Sequence, residues 1–405
     1  MLYDFKIRFR EMKVLFVIQG EGRGHLTQAL ALKEMLQHSG HEVVEVLVGK
    51  SKNREIPGFF QDKIGLPVTL FNSPNFVPSK ENRKFSLCKS VAYNLLLSPS
   101  YLKSLFLIRR HVNESGAEMV VNFYEILCGL SFSLFQLDVP EVCIGHQYLF
   151  LHPSFQMPGK YPAQEKLLRL FTQATCMGAA SKLALSIRDY EDDVEQRIKV
   201  VPPLLRQSAK TIIRHHGDYI LGYILNAGFY LDVVAWHEKH PNIKLHFFWD
   251  KKTVSEEMKF DENLIFHRID DDKFLRMMAG CKAFATTAGF ESVCEALYMG
   301  KPCMMIPAHV EQECNAMDAE REMVGVASDS FDLSKLTAFL HGYEEDVEFR
   351  MWENLAEARI VAALENIYMD YYNCYNRKEN EAYEEDDSFA VASSLAVPAR
   401  RVWQG

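Results

Sequence analysis

The order of strand, glycine-rich turn and helix near the N-terminus limits the fold of this chain more than any other feature. Lys13–Ile18 (KVLFVI) is an apolar, β-branched run closely followed by glycine, which is typical of a strand buried in a parallel sheet. The turn GEGRGH comes next, and leucine and alanine then recur at helical spacing until Gly40. A second strand is predicted over His41–Gly49. This βαβ unit requires a parallel sheet covered by helices.

The same pattern begins again in the second half of the chain. Strands are predicted at Asp218–Ile224 and Ile243–Trp249, with a helix over Tyr230–Glu238 between them. A further strand, loop, helix and strand follow in AFATTAGFESVCEALYMGKPCMMIP. A chain of 405 residues is also longer than one ordinary domain. We therefore predict an α/β protein with two Rossmann-like domains.

The domain boundaries are placed where the composition changes. The first domain is predicted to cover residues 12–203 and the second residues 204–345, because the prolines of Arg197–Arg206 are typical of a linker. Residues 346–375 are predicted to be helical. Residues 376–405 contain the acidic run EAYEEDDS and are expected to form a mobile tail.

Charge and cysteine content exclude several classes of protein. A net charge of −9 argues against a general nucleic-acid binder, whose phosphate contacts need a basic surface. The nine cysteines include no CxxC pair, which indicates reduced thiols. The sequence contains no run of about 20 apolar residues, which is the length needed to span a bilayer. The N-terminal MLYDFKIRFREM has no apolar signal core, so we expect a cytoplasmic protein.

The turn carries Gly20, Gly22 and Gly24, but it matches neither common phosphate-binding loop. A P-loop needs Lys-Ser or Lys-Thr after its last glycine, and the turn has His25 there. The dinucleotide fingerprint GxGxxG fails because Gly24 comes one residue early, and no acidic residue ends the second strand. The glycines still allow another molecule to approach backbone N–H groups at a helix start.

His25 follows the turn, at the carboxyl edge of the predicted sheet, where open α/β folds bind their ligands. With an ordinary pKa of about 6.5, a histidine can act as a general base at neutral pH. Taken alone, it can equally cap or pack the start of the helix.

A second motif spans Thr286–Ala316, TTAGFESVCEALYMGKPCMMIPAHVEQECNA. The strand ends in TTAG and a helix opens with FES, so free N–H groups and the helix dipole favour a diphosphate there. Glu295, one turn further on, can accept hydrogen bonds from a ribose. Glu311 and Gln312 lie in the next loop and can hold sugar hydroxyls. An ordinary structural strand, loop and helix is the alternative for each residue.

Together these motifs resemble the GT-B glycosyltransferases, above all the UDP-glycosyltransferases and the peptidoglycan N-acetylglucosaminyltransferase that acts on a lipid acceptor. AGFES, EALYMGKP, IP, EQ and NA occur in the order and spacing of those families, and the glycine turn lies where they have theirs. The likeness covers residues 12–345. It implies two Rossmann-like domains facing an interdomain cleft, the first for the acceptor and the second for the nucleotide sugar. It also implies that helix 346–375 crosses back to the first domain.

The resemblance implies that His25 deprotonates the attacking hydroxyl. It implies a UDP-sugar as donor substrate and neither a cofactor nor a metal. The donor is expected to lie at residues of the two glycine-containing turns and of the second domain: Gly22, Gly24, Asn226, Gly228, Ala288, Gly289, Phe290, Ser292, Glu295, Glu311 and Gln312.

One position departs from the families. Where many members have an aspartate that orients the histidine, this chain has Asn122. An amide can hydrogen-bond an imidazole but cannot stabilise imidazolium as a carboxylate does. Glu125 is near enough in sequence to replace the aspartate, although a surface role suits it nearly as well.

Two other segments allow two interpretations each. Asp270–Asp272 suits a metal site, but a strand end followed by a helix N-cap fits it better. Residues 80–111 mix basic and apolar side chains, which favours either a peripheral membrane contact near a lipid acceptor or core helices with a charged outer face.

The sequence thus predicts an inverting, metal-independent transfer of a hexose or N-acetylhexosamine from a UDP-sugar to a hydroxyl. The acceptor is a small molecule, a glycan or a lipid-linked sugar, and the resemblance points to a bacterial cell-envelope glycan. One alternative is a UDP-sugar epimerase of the same fold, although AHVEQ stands where that enzyme has an Arg-rich segment. The other is a nucleotide-sugar-binding protein without turnover.

Overall fold

The first half of the chain forms a parallel sheet, as its βαβ opening requires. The computed structural model describes residues 10–52, 54–74, 87–224, 227–249 and 256–374. The strands of the first sheet are β1 Lys13–Gln19, β2 Glu42–Lys50, β3 Val68–Asn72, β4 Met119–Phe123, β5 Glu141–Gly145, β6 Ser181–Leu185 and β7 Ile198–Val201. They are parallel and lie in the order β3-β2-β1-β4-β5-β6-β7.

Helices cover both faces of this sheet. They are α1 Gly24–His38, α2 Gly58–Ile64, α3 Leu87–Glu114, α4 Ile126–Leu134 and α5 Pro162–Thr175, with a 3₁₀ helix over His146–Leu151. Alternate residues of β1 pack into different clusters, Val14 and Phe16 into one and Leu15 and Val17 into another. A central strand buried on both faces explains the continuous apolar run in the sequence.

The second half builds a second sheet. Its strands are β8 Ile220–Ile224, β9 Leu245–Trp249, β10 Glu257–Lys259, β11 Leu264–Arg268, β12 Ala283–Thr286, β13 Cys303–Met305 and β14 Gly325–Ala327. Their order is β10-β11-β9-β8-β12-β13-β14. All pairs are parallel except β10 with β11, an antiparallel edge that the sequence analysis did not predict.

The helices of the second half alternate with these strands. They are α7 Tyr230–Lys239, α8 Asp271–Gly280, α9 Phe290–Tyr298, α10 Val310–Arg321 and α11 Ser334–Leu340, with a 3₁₀ helix over Ala227–Phe229. The short α6 Gln207–Thr211 lies in the connection between the two sheets. We call the unit around the first sheet the N-terminal domain and the unit around the second the C-terminal domain. The predicted fold class, two Rossmann-like α/β units, is confirmed.

The last described residues of the chain form helices that contact the N-terminal domain. After α12 Val347–Glu353 a turn leads into residues 356–374, so the predicted single helix is two. The Tyr368 and Tyr372 hydroxyls donate to the side chain and the carbonyl of Glu118, at 3.3 and 3.2 Å. The predicted tail, residues 376–405, lies outside the described residues. None of the helices in the described ranges is long and apolar enough to cross a bilayer.

Candidate active site

The glycine turn after β1 is shaped by its neighbours. The Gly20 N–H donates to the Gly49 carbonyl at 2.7 Å, and a Cβ at Gly20 would lie 2.9 Å from that oxygen. Glycine is therefore required there by the close approach of β2. At Gly24 the room for a side chain is taken by the Glu291 carboxylate of the C-terminal domain. The donor-binding role expected of Gly24 is thus replaced by a contact between domains, whereas Gly22 has open space around it.

His25 lies at the start of α1 and is buried, with 7% of its surface exposed. Its ring stacks on Tyr124 with centroids 5.6 Å apart. Tyr124 has a φ of +62°, a left-handed conformation that costs a residue with a side chain about 1–2 kcal/mol. Burial lowers the pKa of His25 to about 4, so the imidazole is neutral at pH 7. This corrects the sequence-based expectation of titration near the ordinary value.

Two glutamines bond the two ring nitrogens of His25. Nδ1 donates to Gln28 Oε1 at 3.2 Å, and Nε2 accepts from Gln147 Nε2 at 3.3 Å. Gln28 comes three residues after His25 on α1, so both side chains share one face of the helix. Gln147 lies just after β5, at the same edge of the sheet. This pattern of bonds leaves the Nε2 lone pair facing Gln147.

Two carboxylates of the C-terminal domain complete the network. Gln28 Nε2 donates to Glu291 Oε1 in the first turn of α9. Gln147 Nε2 donates to Glu311 Oε1 in the first turn of α10, at 3.1 Å. Burial raises the pKa of both carboxyls to about 7. The site therefore spans both domains, in the order Glu291, Gln28, His25, Gln147 and Glu311.

An aromatic stack joins the two domains beside this network. The rings of His146 and Phe290 lie 4.5 Å apart and nearly parallel, one from each domain. His146 Nε2 also lies 3.5 Å from Glu311 Oε1, and burial lowers the pKa of His146 well below its usual range. Phe290, expected to contact the donor, instead packs between the domains. Phe290 is the first residue of α9, and its ring stacks on His146 of the other domain.

The loop before α9 remains the strongest candidate for a diphosphate. Ala288 is held at φ +55° and its carbonyl accepts from Asn315 Nδ2 at 3.0 Å. Gly289 precedes the helix, and a Cβ there would meet only Ser292 Oγ, at 3.5 Å. The Ser292 hydroxyl donates to the Gly289 carbonyl at 3.1 Å. Strained backbone and open space at a helix N-terminus are typical of anion sites.

Glu295 is placed differently from its expected role at a ribose. It is 2% exposed and forms an ion pair with Arg206, whose Nε donates to Glu295 Oε1 at 2.7 Å. Arg206, just before α6, also binds Asp271 at the start of α8. The carboxylate is therefore engaged by the connection between the domains. Gln312 accepts from the Ala308 N–H at 2.8 Å and so stabilises its own loop.

Asn122 does not orient His25, contrary to the prediction. It ends β4 fully buried, and its Nδ2 donates to Glu141 Oε1 at 2.7 Å and to the Thr175 carbonyl at 2.9 Å. Both partners belong to the interior of the N-terminal domain. The amide points into the core because it has to satisfy the buried Glu141 carboxylate.

Glu125 is likewise engaged away from His25. It caps α4 by accepting from the Leu127 N–H at 3.1 Å, and it accepts from Ser73 Oγ at 2.6 Å. Burial raises the pKa of Glu125 to about 7. The His25 ring is hydrogen-bonded by Gln28 and Gln147 and not by Asn122 or Glu125.

The remaining predictions concern Asn226 and Gly228, expected near the diphosphate, and the acidic segment Asp270–Asp272. Gly228 lies in the 3₁₀ helix Ala227–Phe229, whereas Asn226 is outside the described residues. Asp270 caps α8 by accepting from the Lys273 N–H at 2.6 Å, as the sequence favoured. In the ranges the structure describes, no three His, Cys, Asp or Glu residues are grouped to hold a metal ion.

Sequence reasoning missed five residues of the site: Gln28, Tyr124, His146, Gln147 and Glu291. The spacing of Gln28 one helical turn after His25 was a usable signal. The polar pair His146–Gln147 directly after a buried strand was another. Tyr124 and Glu291 carry no comparable signal, because their roles depend on a strained φ and on a partner in the other domain.

Comparisons with known proteins agree with this architecture. The family model for glycosyl transferase family 1 matches residues 12–343. An uncharacterized glycosyltransferase of Methanosarcina acetivorans is 28% identical over an alignment of 334 residues, and the match covers 75% of this chain and 80% of that protein.

Solved structures share the fold at low identity. The glycotransferase of kitacinnamycin has a TM-score of 0.58 at 15% identity, covering 89% of this chain and 100% of its own. The spinosyn rhamnosyltransferase SpnG, complexed with thymidine diphosphate, has 0.54 at 16%, covering 87% and 96%. Arabidopsis thaliana UGT89C1, complexed with UDP, has 0.55 at 13%, covering 86% and 94%. The fold is GT-B, and the chain belongs to glycosyl transferase family 1.

Proposed function

We propose that this glycosyltransferase moves a hexose or N-acetylhexosamine from a UDP-sugar to an acceptor hydroxyl, with inversion and with His25 as the general base. One observation carries the proposal: a buried, neutral His25 whose Nδ1 donates to Gln28 and whose Nε2 can accept a proton. An unprotonated imidazole is the form that can accept a proton, although a pKa of about 4 makes it a weaker base than an imidazole that titrates near neutral pH.

The donor side of the proposal rests on α9. The loop of Ala288 and Gly289 presents backbone N–H groups at a helix N-terminus, and the helix dipole favours negative charge there. We assign the diphosphate to this loop and to Ser292, and the sugar to the neighbourhood of Gln312. The structure of UGT89C1 contains UDP and that of SpnG contains thymidine diphosphate. Both support a nucleoside diphosphate as the ligand of this loop.

The chemistry would proceed as a single displacement. The acceptor hydroxyl takes the place of the Gln147 amide as donor to His25 Nε2, and the imidazole removes its proton. The hydroxyl oxygen attacks the anomeric carbon while the bond from that carbon to the diphosphate oxygen breaks. UDP leaves with the electron pair and is stabilised by the N-terminus of α9. Attack opposite to the leaving group inverts the anomeric centre, and no metal is invoked.

An exposed apolar patch supports a lipid-linked acceptor. Leu102 and Phe106 on α3 and Leu134 at the end of α4 are 58%, 58% and 64% exposed. Arg109, which lies over the Phe135 ring, adds positive charge beside them, whereas the charge of Arg110 is offset by its ion pair with Glu114. Apolar side chains flanked by an arginine fit an anionic membrane surface. Phe106→Glu is expected to abolish co-sedimentation with phosphatidylglycerol vesicles, whereas Phe260→Glu on the C-terminal domain should not.

The decisive test of the function compares the wild type with His25→Ala. Wild-type protein is incubated with a panel of UDP- and TDP-sugars and sugar or lipid-linked acceptors, and nucleotide release is measured. His25→Ala should retain UDP affinity in calorimetry and lose about 10²–10⁴-fold in turnover, the usual worth of general-base catalysis. Wild-type turnover in the variant would make His25 a structural residue. UDP binding without transfer to any acceptor would favour the non-catalytic alternative.

A further inference from the structure

We propose that Glu291 is a positioning residue that acts through Gln28 to fix the tautomer of His25, and that it does so only when the two domains are closed. The inference rests on the proposed role of His25 as base. It goes beyond that role by assigning the setting of the base to a side chain of the opposite domain.

The argument begins with the polarity of the Gln28 amide. Its Nε2 faces Glu291 Oε1 and its Oε1 faces His25 Nδ1, 3.2 Å away. Above its pKa of about 7 the Glu291 carboxylate is ionised and only accepts hydrogen bonds, so the NH₂ end of Gln28 then has to face it. The oxygen end then faces the imidazole and also only accepts. Nδ1 must therefore carry the proton, and Nε2 is left as the basic nitrogen.

The hydrogen bonds of the second ring nitrogen, Nε2, independently indicate that the proton of His25 is on Nδ1. Gln147 Nε2 lies 3.3 Å from His25 Nε2 and 3.1 Å from Glu311 Oε1. An NH₂ group has two hydrogens, so it can donate to both at once. This requires Nε2 to be an acceptor, in agreement with a proton on Nδ1. Each glutamine is thus oriented by a carboxylate, and the two orientations select one tautomer.

The division between domains makes the device conditional on closure. His25, Gln28 and Gln147 belong to the N-terminal domain, whereas Glu291 and Glu311 open α9 and α10 of the C-terminal domain. With the cleft open, the amides of Gln28 and Gln147 no longer face a carboxylate. Each amide can then rotate so that its oxygen and its NH₂ group exchange places. His25 would then populate both tautomers. Closure onto the donor domain would restore the tautomer that accepts a proton at Nε2.

The Gly24 position supports a dedicated contact. The Glu291 carboxylate occupies the space that a Cβ at residue 24 would fill. A side chain at the N-terminus of α1 would therefore push Glu291 away from Gln28. The glycine next to the base is explained by the need to admit this carboxylate.

The test reads the tautomer directly and needs no turnover. Full-length protein with ¹⁵N-labelled histidine is studied by NMR, which distinguishes protonated from unprotonated ring nitrogens. His25 is assigned among the 14 histidines by the signal lost in His25→Gln. At a pH of about 9, above the pKa of about 7 of Glu291 and Glu311, the proton in the wild type should be on Nδ1 alone. Glu291→Gln should give a mixture of both tautomers, since an amide can donate as well as accept, and Gln28→Met should do the same.

Glu313→Gln is the matched control. Glu313 is also a carboxylate of α10 at the domain interface, paired with Lys160 at 3.1 Å, but it has no described bond to the His25 network. It should leave the Nδ1 tautomer unchanged. A pure Nδ1 tautomer in both Glu291→Gln and Gln28→Met would overturn the proposal. A mixture in these variants, in a protein that transfers no sugar, would support the positioning role and refute the proposed function instead.

Discussion

At the scale of single residues, the unusual property of His25 is that the imidazole proposed to accept a proton is almost fully buried. Its pKa in the folded protein, about 4, lies below the ordinary value of about 6.5. The unfolded chain therefore binds this proton first as the pH falls. The contribution of the neutral, buried His25 to the free energy of unfolding is therefore complete above pH 6.5. It is lost as the pH falls from 6.5 to about 4.

This property gives a prediction for stability. Between pH 6.5 and 4, the wild type should lose about 3 kcal/mol of unfolding free energy relative to His25→Gln. Carboxyl groups with shifted pKa values are common to both proteins and largely cancel in the difference. Urea unfolding of both proteins at several pH values measures it. A difference that stays constant with pH would mean that His25 titrates normally and is not buried as described.

The sequence predicted His25 but not what surrounds it. A histidine after a glycine turn at a strand end is a local pattern, and local patterns can be recognised in one sequence. Glu291 and Gln28 are 263 positions apart in the chain, and Gln147 and Glu311 are 164 apart. Such contacts arise only after both sheets have formed. The assignment of Asn122 failed because a buried amide bonds its nearest buried carboxylate, Glu141.

At the scale of secondary-structure elements, the ion pair of Glu295 and Arg206 connects α9 to the segment before α6. Both residues are less than 10% exposed. Glu295→Ala leaves the buried Arg206 with Asp271 alone and should lower the free energy of unfolding by about 3 kcal/mol. Urea denaturation provides the measurement. Glu313→Ala, which removes a more exposed pair, should cost no more than about 1 kcal/mol.

The same variant decides between two roles for Glu295. A ribose ligand would show as weaker UDP binding in calorimetry, with little change in stability. A folded Glu295→Ala protein with normal stability and weakened UDP affinity would therefore return this residue to the nucleotide site. The expected result is the reverse, because the carboxylate is already engaged by Arg206.

Elements were predicted from sequence more reliably than contacts. β1, β2, β8 and β9 follow from apolar runs bounded by turns, and the parallel pairing of β1 with β2 and of β8 with β9 follows from the helix that connects each pair. The antiparallel β10 has only three residues, too few to show a pattern. The turn at residues 354–355 that divides the last helical segment is also not marked by glycine or proline.

At the scale of the whole molecule, two exposed ion pairs join the domains in addition to the buried contacts at the site. Lys63 of α2 lies 2.9 Å from Asp271, and Lys160 lies 3.1 Å from Glu313. Both lysines are just over 40% exposed, so each pair is worth at most about 1 kcal/mol and is weakened by salt. These two pairs therefore add only a small, salt-sensitive stabilisation to the contact between the domains.

Closure should therefore respond to a few charges. In Lys63→Glu/Lys160→Glu each attraction becomes a repulsion, and a change of about 1–2 kcal/mol shifts the closed-to-open ratio by about 5- to 30-fold. Small-angle X-ray scattering should show a larger radius of gyration, and His25 should show both tautomers in the same sample. Lys282→Glu, which breaks a pair with Asp218 inside the C-terminal domain, should change neither. A larger radius with His25 still purely Nδ1-protonated would separate domain closure from the setting of the base, because the two carboxylates would then be unnecessary for the tautomer.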